Sequence, residues 1–154
     1  MEGIDSFILF LHVIAGAIFA ITVTVVQLVV GPAMKQIPAG AEKLKAVAIL
    51  QGRVQPAMDT AIILQSLTAI YLLITRWEMI SASAYLHVKI SMGIIALVTA
   101  NLLHFYWRGK KVRLKAEGKM DQFKALAGRT LLFEKVVLVT APATFLMGVA
   151  FNHL

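Results

Sequence analysis

The sequence predicts an all-α integral membrane protein, an antiparallel four-transmembrane-helix bundle. Three observations carry that expectation. The chain is 59% hydrophobic with a mean hydropathy of +0.80, whereas a soluble domain is about 45–50% apolar. Four apolar runs, at about 6–34, 55–75, 84–107 and 136–154, reach the roughly 20 residues that a bilayer crossing needs. The segments between them are short and hold most of the basic residues. Short connections make neighbouring helices antiparallel. A chain of 154 residues forms one domain.

Span one carries no charge, and the MEGIDSF before it is acidic. A cleavable leader has a positive start and a small-residue cleavage site, so span one is expected to stay in the mature protein. Span two contains one charge, Asp59. The preceding AEKLKAVAILQGRV (41–54) has apolar residues at helical spacing and extends span two backwards, with a kink expected at Pro56. Span three contains Lys89; span four is uncharged and is expected to bend at Pro142. Between them RLKAEGKMDQFKALAGRTLLF (113–133) reads as a basic amphipathic helix lying along the cytoplasmic surface.

Basic residues set the orientation. Lys35, Lys43, Lys45 and Arg53 fall in loop one. Loop three holds Arg108, Lys110, Lys111, Arg113, Lys115, Lys119, Lys124 and Arg129, while loop two has only Arg76. The positive-inside rule places loops one and three in the cytoplasm and both termini outside, in the inner membrane of a prokaryotic cell. The net charge of +7 therefore reports topology rather than nucleic acid. With no cysteine, disulfides, thiolate metal sites and cysteine nucleophiles are excluded.

Helical phase sorts the polar residues. His12, Gly16, Ala20 and Gln27 share one small, polar stripe of span one, the kind that marks helix contacts in membranes. In span three, Lys89, Gly93, Ala96, Ala100 and His104 form one stripe, and His87, Ser91, Ile94, Val98 and Asn101 another. His87 and Lys89 are two positions apart, about 200° of rotation, so an ideal helix cannot aim both at one centre. Glu134, Ala141, Gly148 and Asn152 share a face of span four.

Depth divides these residues into two groups. His12 and His87 enter spans one and three at similar outer-leaflet heights, near Arg76, Asn152 and His153. Two imidazoles from different helices suit a porphyrin between them as axial ligands of a low-spin iron. Gly16 would leave room for the ring, and Arg76, Lys89 or His153 would meet its propionates. The alternative is a pair of ordinary interhelical hydrogen-bonding histidines. Copper held by His12, His87, His153 and Met79 is a further option, though no tight ligand motif is present. Near the inner side, Asp59, Glu134 and His104 form either a proton path or ion pairs that fix helix register; a carboxylate at this depth must be paired or wet. The seven methionines are scattered and read as packing.

Four stretches, FLHVIAGAIFAITVTVVQLVVGPAM, GRVQPAMDTAIILQSLTAIYLL, YLHVKISMGIIALVTANLLHFYW and LLFEKVVLVTAPATFLMGVAF, resemble the four-helix HemJ/CopD-like membrane proteins over nearly the whole chain. The most telling residues are His12 and the LHVK carrying His87 and Lys89, with Pro32, QPAM and Glu134 in support. The resemblance implies a haem b protein related to HemJ-type protoporphyrinogen oxidases. It marks His12 as an axial ligand, Lys89 as a site residue and His87 as the second ligand candidate. AIFAITVT and GPAMKQ stand where HemJ-type chains carry a tryptophan, glycines and an arginine, which marks a divergent member.

The expected activity is electron transfer or oxidation of a porphyrin or quinol-like substrate in membrane lipid. The rival expectations are a copper-handling membrane protein and a non-catalytic subunit of a larger membrane complex or homo-oligomer.

Overall fold

The computed structural model describes residues 2–151; His153 and Asn152 lie outside the described residues. Four long helices follow one another, and there is no strand among the described residues. Helix one is Gly3–Gln36, helix two Ala41–Thr75, helix three Ala84–Ala116 and helix four Met120–Phe151, with a short helix Trp77–Ser81 between two and three. Helices of 32 to 35 residues are about 50 Å long, against a hydrocarbon core of about 30 Å. The excess lies at the basic ends, where 41–54, 108–116 and 120–135 continue the spans as helix.

Local chemistry sets the breaks. Ser83 caps helix three, its hydroxyl accepting from the Leu86 N–H at 3.3 Å. The kink expected at Pro56 is instead a wide π turn at Leu50–Val54, just before the proline, and a second at Val26–Val30 precedes Pro32. Proline lacks an N–H and its ring crowds the carbonyl four residues back; widening the preceding turn keeps the helix continuous. A third π turn, Leu102–Trp107, has no proline and carries His104.

The segment 113–133 differs from its expected form. It is not a separate surface helix: its two halves prolong helices three and four and meet in a tight turn. Gly118 supplies the left-handed residue at φ 69°, and Lys119 N–H and Gly118 N–H bond to Leu114 O and Lys115 O at 2.9 and 3.2 Å. That is the Schellman pattern that ends a helix at glycine. Leu114 and Thr130 of this segment are buried.

Helix one packs on helices two and four, and helix three mainly on helix four. The shared core is Phe19, Val23, Met58, Ala61, Ile62, Ala96, Ala100, Val137 and Ala141. Alanine and glycine dominate the closest approaches: a Cβ on Gly93 would meet Thr144 Cγ2 at 3.3 Å. Only 11–28% of each apolar window is buried inside the bundle. Phe7, Phe10, Leu67 and Leu146 are exposed, so most of the apolar surface lies on the outside of the bundle, as in a chain that meets a membrane or a partner there. All four helices are long and apolar enough to cross a membrane, and together they make a four-helix bundle.

Candidate functional site

Three helices build one polar centre in the bundle. His12 of helix one bonds through Nδ1 to Thr68 Oγ1 at 2.9 Å and through Nε2 to the Gln65 carboxamide nitrogen at 3.1 Å. Counting protons fixes the tautomer. The Thr68 hydroxyl has one hydrogen, and it donates to Leu64 O at 2.7 Å. Thr68 therefore accepts from His12, whose proton sits on Nδ1, and the Nε2 lone pair accepts from Gln65. Gly16 is the residue that lets Gln65 reach His12, since a Cβ there would lie 3.3 Å from both Gln65 Nε2 and Oε1. Gln65 Oε1 is buried with no hydrogen-bond partner.

Helix three contributes Lys89, not His87. Lys89 is half-buried against helix four, where a Cβ on Gly148 would lie 3.1 Å from its Nζ. No carboxylate among the described residues pairs with it. His87 is exposed and bonds through Nδ1 to Ser83 O of its own helix at 2.9 Å. The small-residue stripe is thus the packed face, and the roughly 200° between the two residues decides which one turns in.

A second cluster lies towards the basic end. Asp59 of helix two takes His104 Nδ1–H on Oδ1 and Arg108 on Oδ2, both at 2.8 Å. Glu134, expected beside them, belongs to another pairing. Its carboxylate lies 3.7 Å from Lys111 Nζ and its backbone carbonyl accepts from Gln27 at 3.0 Å. One turn before His104, Asn101 donates to Leu97 O at 2.8 Å and to Ser66 Oγ at 3.1 Å, beside Gln65 and Thr68 on helix two.

At the far end, Tyr71 O–H donates to Asp5 at 2.6 Å. Arg76 caps helix two and lines a surface depression with Trp77 and Met79. It is part of this end group, not of the His12 centre. Sequence reasoning missed Gln65, Ser66, Thr68 and Arg108. The signal for the first three was present: they are the polar residues of the otherwise apolar stretch 61–70.

A haem between helices one and three does not fit this arrangement. Both His12 ring nitrogens are held by helix two, the space at Gly16 is filled by Gln65, and His87 points outward. Nor do three histidine, aspartate or glutamate side chains converge as a metal-ligand group among the described residues. No family model, no curated protein and no solved structure matches the chain.

Proposed function

We propose that the chain is a HemJ/CopD-like oxidoreductase of the prokaryotic inner membrane, acting on a porphyrin or quinol-like substrate at the His12–Gln65–Lys89 centre. One observation carries the reading. His12 and Lys89, the residues the family resemblance marks, come from helices one and three and both turn into the bundle, His12 onto Thr68 and Gln65 and Lys89 against Gly148. An ammonium in a membrane is costly unless something anionic meets it. A substrate propionate, or the oxygen of a quinol losing its proton, supplies that charge. His12 Nε2 is the open lone pair once Gln65 moves aside, and it takes the proton from the substrate N–H or O–H.

None of these side chains carries electrons, so the electrons pass to a bound group or a partner subunit. The topology that goes with this reading is antiparallel, with the basic ends in the cytoplasm and both termini outside. Asp5 meeting Tyr71 and His12 meeting Thr68 support opposed directions for helices one and two. The basic residues gathered at one end support the orientation.

Titration of the protein in nanodiscs with protoporphyrin IX and with a short-chain quinol tests the reading. One of the two should bind, and Lys89→Met should weaken it about tenfold, the loss of roughly 1.4 kcal/mol. Binding that ignores both Lys89→Met and His12→Ala would sink it.

A second reading, haem b ligation by His12 alone, requires Gln65 to leave Nε2, the nitrogen that the proton on Nδ1 keeps free to ligate. A reduced-minus-oxidised spectrum of the purified protein decides it. A sharp band lost in His12→Ala and kept in His104→Ala supports ligation, and a colourless protein ends it.

A further inference from the structure

We propose that a depression at the basic end of helix three binds one anionic phospholipid, its phosphate on Lys110 and Arg113 and its acyl chains along the outer face of the same helix. The inference rests on helix three being a membrane span and is independent of the substrate assigned to the His12 centre.

The depression has a volume of about 380 Å³ and is lined by Tyr106, Lys110, Arg113, Leu114, Glu117 and Lys119. Three cations there face one carboxylate. Glu117 takes the Arg113 Nε–H on Oε1 and Lys119 Nζ on Oε2, both at 2.7 Å, and so holds two of the cations in place. A guanidinium has five N–H donors, and the others remain for a second anion. Lys110 has no anion among the described residues. Its neighbour Lys111 is turned the other way, 3.7 Å from Glu134. The site is therefore left with positive charge that one phosphodiester would balance.

Its apolar half lies directly below. Val98, Leu102 and Tyr106 follow at intervals of four residues, which stack on one helix face, and all three are exposed. Lys110 is the next member of that row. A soluble anion needs the cations alone, whereas this face offers hydrocarbon contact and charge in sequence.

Depth fits the same occupant. Helix three opens at Ala84, and about 20 residues at about 1.5 Å each cross the roughly 30 Å of hydrocarbon. Tyr106 and Trp107 then fall at its edge, where aromatic side chains settle. Lys110 lies about 6 Å beyond Tyr106 and Arg113 about 10 Å. The headgroup layer is about 5–8 Å deep on each side, so Lys110 sits within it and the long Arg113 side chain reaches back to it. Basic pockets at this level are known binders of anionic headgroups.

Native mass spectrometry of the whole protein tests the site, with phosphatidylglycerol and phosphatidylcholine of equal chain length titrated into the detergent-solubilised chain. One phosphatidylglycerol should bind at least tenfold more tightly than phosphatidylcholine. Lys110→Gln should weaken it about fivefold, from roughly 1 kcal/mol per cation, and Lys110→Gln with Arg113→Gln should abolish the preference. Lys35→Gln with Lys45→Gln removes the same charge from exposed positions of helices one and two and should leave the preference intact. Inorganic phosphate at the lipid's concentration should not displace the lipid, because it lacks the acyl contacts. Equal binding of the two lipids, a preference that survives the Lys110/Arg113 pair or falls equally with the Lys35/Lys45 pair, or displacement by inorganic phosphate each overturns the proposal.

Discussion

The two polar groups of the bundle solve the same problem in different ways. Around Asp59 every charge has its partner: one carboxylate is shared by an imidazole and a guanidinium, each at 2.8 Å. Around His12 the hydrogen bonds are neutral, one amide oxygen is left over, and the ammonium of Lys89 has no anion among the described residues. In a low-dielectric setting an unpaired polar group is costly. The closed cluster therefore contributes to stability, and the open one carries an unmet demand that a ligand can meet.

Substitutions break or sharpen this contrast. Asp59→Leu should have the largest effect, because it strands Arg108 and His104 together. About 2–3 kcal/mol is expected, below the roughly 3–5 kcal/mol for breaking a fully buried pair, since Arg108 is 39% exposed. Thermal unfolding in detergent measures it. In the open centre, Gly16→Leu drives a side chain into Gln65 and frees His12 Nε2. Loss of that hydrogen bond and of local packing should cost about 1–2 kcal/mol, and the His12 ring resonances should shift. If they stay put, Gln65 is not the residue held there by Gly16.

Lys89→Met is the decisive opposite case. Removing a charge that lacks an anion among the described residues should leave stability unchanged or raise it, within about 1 kcal/mol, while ligand binding weakens about tenfold. A clearly destabilised Lys89→Met would show that the ammonium has a structural partner and that the two regions are alike. The smallest effect concerns the hairpin tip. Lys119 and then Arg113 bond to Glu117 at 2.7 Å and hold its carboxyl down to about 2, from 4.5. Its contribution is complete above about pH 4.5 and fades as the pH falls through about 2. Glu117→Gln should remove that dependence, which hydrogen exchange of the Gly118 turn reads out.

The apolar runs fix membrane-spanning helices by themselves, because burying about 20 residues in hydrocarbon leaves the backbone no option but to bond within a helix. Helical phase likewise predicted the stripe of Lys89, Gly93, Ala96 and Ala100 and the inward face of His12, since small residues allow close approach. Sequence could also require a partner for Asp59. It could not decide between His87 and Lys89, because periodicity gives the angle between two residues and not which of them faces the bundle. Only packing against Gly148 settled that. The tertiary structure also turned the expected surface helix into a hairpin, with a left-handed turn at Gly118 and Leu114 and Thr130 buried. Finally, it placed Gln65 and Thr68 on His12: hydrogen bonds between residues more than fifty positions apart depend on the register of two helices, which no local pattern records.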